Sequence, residues 1–289
     1  METQSGKEKV ILVSVQLRQS DELFAYELEE LERLVNAANG EVVATIVQKR
    51  PSIDARTVVG KGKLEELQHL VTELQPETVI FEQELSPRQM RNIQAVIECK
   101  VFDRIQLILD IFAMRAKSRE GKLQVSLAQL NYLLPRLAGQ GINMSRLGGG
   151  IGTRGPGETQ LETDRRHINR QITEIKKDLA ETSKHRERSR EKRSESGVFQ
   201  IGLLGYTNAG KSTILNRLTE ADTFEEDLLF ATLDPLTRKM TFSDQFEATL
   251  TDTVGFIQNL PTQLIHAFQS TLEESRGVYL LLHVVDSSQ

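Results

Sequence analysis

The chain has 289 residues, with 36 Lys or Arg against 41 Asp or Glu and a formal net charge of −5. This balance excludes a protein that binds nucleic acid through overall basic charge, so any such role must come from local patches. The single cysteine, Cys99, excludes an internal disulfide and favours a reducing, cytoplasmic location. No run reaches the ~18 apolar residues that a membrane span needs, so we expect neither a span nor a signal peptide.

The first part of the chain, residues 1–117, alternates predicted strands with predicted helices. Apolar residues alternate over 10–17 as in a strand, and they recur at helical spacing over 21–38. The further predicted strands are 42–47, 78–81 and 100–102, and the further predicted helices are 63–74, 87–98 and 105–116. Strands that alternate with helices of this length predict a parallel sheet covered on both faces, which is an α/β domain.

A basic, glycine-containing turn, Val59-Gly60-Lys61-Gly62-Lys63, precedes the second predicted helix. It lacks the spacing of a phosphate-binding loop, so a flexible turn is the favoured interpretation. A second nucleotide site and an RNA-phosphate contact stay open as alternatives for this turn.

Residues 118–195 predict an antiparallel helical hairpin. Leucines recur at spacings of four and three residues from Leu123 to Leu137, and an apolar row returns from Leu161 to Leu179. Two such rows are typical of antiparallel helices that pack against each other. Residues 164–193 hold 11 Lys or Arg and 6 Asp or Glu. We expect a solvated face over 174–181, while the more basic run 184–193 either contacts a phosphate backbone or links the hairpin to the next domain.

A glycine-rich tip, residues 138–157, joins the two predicted helices. Eight of the 19 glycines lie between Gly139 and Gly157, together with Arg146 and Arg154 and no acidic residue. Ordering such a loop costs conformational entropy unless a bound partner orders it. A plain linker would not need two paired helices to project it from the domain. The pattern therefore favours a functional loop over a flexible linker.

The last part, residues 196–289, begins with an apolar run that leads into Gly205-Tyr206-Thr207-Asn208-Ala209-Gly210-Lys211-Ser212. This is the phosphate-loop pattern. Its glycines let backbone N–H groups face phosphate oxygens, Lys211 brings positive charge to the β- and γ-phosphates, and the Ser212 hydroxyl is a ligand for Mg²⁺. A helix predicted over 212–218 puts the loop at a helix N-terminus, which favours anions. The alternative, a chance match in a turn, does not explain this order of strand, loop and helix.

Two later segments complete a predicted switch-type nucleotide site. Thr232 is placed where a segment could close over Mg²⁺ and the γ-phosphate. Asp252 ends a predicted strand and would hold the Mg²⁺ shell, through water, while the backbone N–H of Gly255 would sense the γ-phosphate. Around these segments we predict a hairpin over 239–251, a helix over 262–274 and a strand over 278–285.

The residues expected to bind nucleotide lie in three groups along the chain. They are Gly205, Tyr206, Thr207, Asn208, Ala209, Gly210, Lys211, Ser212 and Thr213, then Phe230, Ala231, Thr232, Leu233 and Asp234, then Asp252, Thr253, Val254 and Gly255. Among them, the residues expected to act in catalysis are Lys211, Thr232 and Gly255, and the expected Mg²⁺ ligands are Ser212, Thr232 and Asp252.

Taken together, these motifs resemble the HflX family of translational GTPases, within the Obg–HflX group. The resemblance is carried by residues 205–213, 230–235, 252–257, 59–64, 124–130 and 148–162, and it covers nearly the whole chain. It implies a cytoplasmic GTPase that binds GTP and GDP, associates with the large ribosomal subunit and can help to dissociate ribosomes. It also implies that the tip reaches ribosomal RNA near the peptidyl-transferase centre, and the expected RNA contacts are Arg146, Gly149, Gly150 and Arg154. We expect a monomer.

Two features depart from the family pattern. Phe256 follows Gly255 where many small GTPases carry a catalytic Gln, and Phe cannot orient an attacking water, so we expect slow intrinsic hydrolysis. The Asn-Lys-x-Asp motif that reads guanine does not occur before Gln289, so we expect an incomplete nucleotide domain, and selectivity for GTP rests on the resemblance. Two other functions stay open, a ribosome- or RNA-binding fragment without effective turnover and an ATP-using phosphate-loop enzyme.

Overall fold

The computed structural model describes residues 6–137, 156–195, 197–219, 229–230, 233–241, 246–259, 264 and 277–287, and for 156–161 and 185–195 the backbone alone. The chain divides into two compact units, Met1–Asp110 with Asn131–Asn169, and Ile111–Leu130 with Arg170–Gln289. The division into 1–117, 118–195 and 196–289 stays a prediction. Arg146, Gly149, Gly150 and Arg154 lie outside the described residues, as does nearly all of the helix predicted over 262–274.

The first unit contains a parallel sheet, as predicted. Its strands are β1 (Glu8–Gln16), β2 (Gly40–Lys49), β3 (Thr78–Phe81) and β4 (Lys100–Asp103), in the order β2-β1-β3-β4. The helices that follow successive strands are α1 (Asp21–Ala37), α2 (Lys61–Leu74), α3 (Pro87–Gln94) and α4 (Arg104–Arg115). The prediction for α3 was wrong at its end, because the chain turns at Ala95 and buries Ile97 in the core instead of continuing the helix to 98.

Local sequence explains where these elements start and how they are buried. Ser20 caps α1 by accepting a hydrogen bond from Leu23 N–H, and Ser86 forms a capping box with Gln89 at the start of α3. The alternation predicted for β1 does not appear in its burial, because Val10 to Gln16 are all buried. A central parallel strand is covered by helices on both faces, so both sets of side chains are enclosed.

Helix α5 (Arg119–Leu137) buries a different face from the one predicted. The leucines of the predicted row are all half-buried, at positions 123, 127, 130, 134 and 137. The fully buried residues of α5 centre about 160° around the helix from this row, at Gly121, Gln124, Val125, Ala128 and Tyr132. Helix α5 is therefore covered on two opposite faces, and its polar and small residues take the deeper one.

Helix α6 (Pro156–Glu195) buries Ile168 and Ile172, both members of its predicted apolar row. In the second unit, an ion pair of 3.7 Å joins Arg119, at the start of α5, to Asp178 in the second half of α6. The antiparallel direction of the two helices stays a prediction. Within the described part of the chain, no helix combines the length and the apolar character needed to cross a membrane.

The second unit contains a mixed sheet built from β5 (Phe199–Gly205), β6 (Leu236–Thr241), β7 (Glu247–Asp252) and β8 (Leu280–Val284), with helix α7 (Lys211–Thr219). The strand order is β6-β7-β5-β8, and β7 and β8 both run parallel to β5. The antiparallel pair β6–β7 confirms the predicted hairpin. Because β5 and β7 are parallel neighbours, their carboxyl ends lie at the same edge of the sheet, where ligands of open α/β sheets bind.

Candidate functional site

The predicted phosphate loop lies between the central strand β5 and helix α7. The backbone at Asn208 and Gly210 takes positive φ values of 62° and 89°, a conformation that suits glycine and that asparagine tolerates. The carbonyl of Gly210 then accepts the N–H of Ile214 at 3.0 Å, within the first turn of α7. Thr213 lies exposed on this first turn, and Tyr206, at the start of the loop, is also exposed. The loop thus places several backbone N–H groups at a helix N-terminus.

Lys211 folds back over this loop. Its side chain is buried, and its Nζ donates a hydrogen bond of 2.6 Å to the carbonyl oxygen of Tyr206. Burial lowers the pKa of Lys211, because removal from water disfavours the charged ammonium, while the nearby Asp252 carboxylate opposes the shift. An anion bound in the loop would stabilise the charged ammonium of Lys211 in place of the water that burial removes.

Ser212 and Asp252 meet at the shared edge of β5 and β7. The Ser212 hydroxyl donates a hydrogen bond of 2.7 Å to Oδ2 of Asp252, whose side chain is buried. A hydroxyl and a carboxylate are both hard oxygen ligands of the type that Mg²⁺ prefers. The residues present therefore fit a Mg²⁺ ion, with Ser212 and Asp252 as the groups that could hold it directly or through water.

The segment after β7 is bound to the phosphate loop by its backbone. Thr207 N–H donates to the carbonyl of Phe256 at 2.7 Å, and Phe256 N–H donates to the carbonyl of Gly205 at 3.0 Å. A Cβ atom at Gly255 would lie 2.6 Å from the Cα of Thr207, so the two segments approach too closely for any side chain there. Val254, which precedes Gly255, is buried.

Thr253 links the end of β7 to β5 through a contact that its motif does not predict. Its hydroxyl donates a buried hydrogen bond of 2.6 Å to the carbonyl of Leu203 on β5. Neither this bond nor the backbone pairing of Phe256 could be found from spacing, because main-chain acceptors carry no sequence signature.

In the second predicted group of site residues, 230–234, two side chains lie against helices. Phe230 is buried and packs edge to face on Phe112 of α4, with ring centroids 4.8 Å apart. The Asp234 carboxylate accepts hydrogen bonds at the start of α5, and Leu233 is buried between them in sequence. Ala231 and Thr232 lie outside the described residues. The structure therefore brings 205–213 together with 252–255 and turns the Phe230 and Asp234 side chains toward helices.

Sequence models of three protein families match successive parts of the chain. A model described as GTP-binding GTPase N-terminal matches residues 25–113, and one described as GTP-binding GTPase Middle Region matches residues 115–193. A third, described as 50S ribosome-binding GTPase, matches residues 200–289.

Curated relatives and a solved structure match over the same length. The chain is 60% identical to "GTPase HflX" of Alkalihalophilus pseudofirmus, over 97% of the chain and 66% of that relative. It is 49% identical to "GTPase HflX" of Lacrimispora saccharolytica, over 100% of the chain and 68% of the relative. A solved structure of SsGBP in complex with GDP is 28% identical, with a TM-score of 0.57, over 97% of the chain and 73% of that protein. The chain thus spans about two thirds of the length of the curated relatives that it matches.

Proposed function

The chain belongs to the HflX family of GTPases, and from this premise we propose that it binds GTP and GDP with Mg²⁺, hydrolyses GTP and acts as a nucleotide-dependent factor on the large ribosomal subunit. The observation that carries the proposal is the hydrogen bond of 2.7 Å between the Ser212 hydroxyl and the buried Asp252 carboxylate. This bond lies beside a phosphate loop whose lysine is already turned inward.

In this proposal the loop 205–213 binds the nucleotide phosphates. Its backbone N–H groups and the N-terminus of α7 attract the anion, and Lys211 supplies a positive charge to the β- and γ-phosphates. Ser212 and Asp252 would hold Mg²⁺, and the ion, when bound, neutralises negative charge on the β- and γ-phosphate oxygens. Thr232 would complete the contact with the γ-phosphate and the metal, and Gly255 would present its N–H to the γ-phosphate.

Hydrolysis is proposed to be slow in the isolated protein. Phe256 stands where a water-orienting Gln would be expected, and its side chain has no group that accepts a hydrogen bond. Loss of the γ-phosphate removes the contacts that Thr232 and Gly255 would make, so the two segments relax in the diphosphate state. A partner that supplied a water-orienting group would accelerate this step.

The ribosomal part of the proposal has two supports. The nucleotide domain matches a family described as 50S ribosome-binding GTPase, and the tip 138–157 carries Arg146 and Arg154 with no acidic residue. Basic, glycine-rich segments bind RNA phosphates and order on binding. We therefore place the contact with ribosomal RNA at this tip, and we place the protein, as a monomer, in the cytoplasm.

A titration with fluorescent GDP and GTP, in the presence and absence of excess ATP, tests the proposal. We expect micromolar binding in Mg²⁺ that ATP does not displace. Lys211→Ala should abolish binding of both nucleotides, whereas Lys177→Ala, which removes an exposed lysine on α6, should leave it unchanged. Displacement by ATP would instead identify an adenine-tolerant phosphate-loop enzyme. Failure to bind any nucleotide, with co-sedimentation with large subunits retained, would identify a ribosome-binding protein without turnover.

A further inference from the structure

Strands β5 and β7 separate at their carboxyl ends and meet again beside the phosphate loop. The last pair of their ladder is Gly202 with Thr251, and the next pairing is the isolated bridge between Tyr206 and Phe256. Gly202 and Tyr206 lie four positions apart in sequence, whereas Thr251 and Phe256 lie five positions apart. The segment that follows β7 therefore carries one residue more than the stretch of β5 beside it, as the longer side of a β-bulge does.

Thr253 bonds to β5 between these two pairings. Its hydroxyl donates a hydrogen bond of 2.6 Å to the carbonyl of Leu203, and both residues are buried. Two residues further along β5, the carbonyl of Gly205 accepts the N–H of Phe256 at 3.0 Å. The Thr253 hydroxyl thus satisfies a strand carbonyl that a backbone N–H satisfies in a regular ladder.

The longer segment also contains Asp252, which faces the phosphate loop. Its carboxylate is buried and accepts the Ser212 hydroxyl at 2.7 Å. A slip of one residue turns a strand side chain to the opposite face of the sheet. A segment with one extra residue can accommodate it at more than one position, so the bond from Thr253 to Leu203 selects the register in which Asp252 meets Ser212.

We propose that Thr253 is a positioning residue for the Mg²⁺ that accompanies the nucleotide, because its hydroxyl fixes the register that directs Asp252 toward Ser212. This inference rests on the proposed function. A hydroxyl has one hydrogen, and Thr253 donates it to Leu203, so this group acts through the segment that it fixes. Residues that orient a metal ligand change the affinity for the ion, so Thr253 contributes to the Mg²⁺ dependence of nucleotide binding.

The same bond has a consequence in the protein without nucleotide. The N–H of Phe256 exchanges with solvent only when its hydrogen bond to Gly205 opens. Thr253→Val keeps the branched shape of the side chain and removes the hydroxyl, so it should speed exchange at this amide several-fold. Exchange therefore reports whether Thr253 fixes the segment, independently of any bound ion.

The test measures the affinity for GDP as a function of Mg²⁺ concentration, and in excess chelator, for three variants of the 289-residue chain. Thr253→Val should raise the Mg²⁺ concentration for half-maximal enhancement roughly three- to tenfold, with the affinity in chelator changed less than about twofold. Thr253→Ser keeps the hydroxyl and should restore the wild-type Mg²⁺ dependence.

Thr237→Val is the matched control. It also removes a threonine hydroxyl that contacts β7, since the hydroxyl oxygens of Thr237 and Thr251 lie 2.9 Å apart. It should leave both the Mg²⁺ dependence and the exchange at Phe256 as in the wild type. If Thr253→Val does not fold, Thr253→Cys takes its place, because a thiol is a weaker donor than a hydroxyl and should shift the Mg²⁺ dependence in the same direction.

The outcomes separate this inference from the proposed function. If the wild type binds no nucleotide, the proposed function fails and the role of Thr253 toward Mg²⁺ fails with it. If GDP binds and Thr253→Val leaves the Mg²⁺ dependence unchanged, only the positioning role is overturned. An equal loss of GDP affinity with and without Mg²⁺ would show a merely structural contact, and it too would overturn the inference.

Discussion

Partial burial disfavours the ionised form of Glu82, which follows β3. Its carboxylate lies 3.8 Å from the buried guanidinium of Arg104, which is also paired with Glu30. Burial raises the pKa of Glu82 above its ordinary value of 4.5, and the attraction of Arg104 offsets this only in part. The folded protein therefore binds a proton here more tightly than the unfolded chain does. The stability that this proton contributes is complete below pH 4.5 and is lost as the pH rises through the folded pKa.

We predict that Glu82→Gln raises the free energy of unfolding at pH 7, on the order of 1 kcal/mol, because it removes a half-buried charge and keeps a hydrogen-bonding side chain. The difference from the wild type should shrink as the pH falls through the folded pKa of Glu82, and it should stay constant below 4.5, where the carboxyl is protonated in both states. Urea unfolding at several pH values measures this. Glu84→Gln, at a more exposed carboxylate, serves as the control and should change little at any pH. A gain that is independent of pH would contradict the assignment to Glu82 ionisation.

We predict that Gly255→Ala weakens the binding of GDP and GTP by more than tenfold. The new methyl group would meet backbone atoms of Thr207 at 2.6 and 2.7 Å, and a backbone held by the Phe256 hydrogen bonds cannot yield as a side chain would. Overpacking of this kind typically costs about 1–3 kcal/mol. Nucleotide titration and thermal unfolding together measure the two effects, with Gly62→Ala as the unhindered control. Wild-type affinity in Gly255→Ala would show that the two segments separate freely.

At the scale of elements, Asp103 organises the first unit around the end of β4. Its fully buried carboxylate accepts from the N–H of Leu85 at 3.0 Å, the N–H of Gln106 at 2.9 Å and the hydroxyl of Tyr132 at 2.7 Å. Arg136 lies 3.4 Å from the same carboxylate and stacks over the Tyr132 ring. Three elements, β4, α4 and α5, are therefore joined through one side chain. Burial and the Asp103 charge both raise the pKa of Tyr132 far above its ordinary value, so this hydroxyl stays a donor at all working pH values.

We predict that Tyr132→Phe lowers the free energy of unfolding by about 1–2 kcal/mol, because it leaves a buried carboxylate with one donor fewer and changes no apolar packing. The loss is measured by urea unfolding. Tyr279→Phe removes a hydroxyl from a side chain that is 62% exposed, and it should be neutral within about 0.5 kcal/mol. Equal effects in the two variants would indicate that the Asp103 bond contributes nothing.

At the scale of the molecule, we expect RNA binding and nucleotide binding to be separable. The double variant Arg146→Ala/Arg154→Ala removes both positive charges of the tip, and each lost phosphate contact should weaken binding and reduce its salt dependence. We predict at least a tenfold loss of affinity for large ribosomal subunits in a sedimentation assay, with GDP affinity unchanged. Arg18→Ala/Arg88→Ala removes the same charge from two exposed sites of the first unit. Comparable losses in both double variants would place the RNA contact outside the tip.

Much of the fold followed from local sequence patterns. The spacing of apolar residues identified most strands and helices of both units. The period of apolar side chains indicates which backbone conformation places them all on one buried face. The end of α3 and the deep face of α5 could not be predicted in this way. Both depend on which other elements pack against them. The row of leucines on α5 predicted the buried face, but the structure leaves these leucines only half-buried.

The sequence by itself determined the chemistry of the candidate site. Gly210, Lys211 and Ser212 are required at their spacing by the backbone and charge needs of a phosphate loop, and those needs are local. Only the tertiary structure decided what this site is attached to. Ser212 and Asp252 lie 40 residues apart in sequence and meet because β5 and β7 are parallel neighbours, and the hydrogen bond from Ser118 N–H to the Asp234 carboxylate spans 116 residues. Such contacts cannot be predicted from the spacing of residues in the sequence, because they depend on how the sheet and the helices pack.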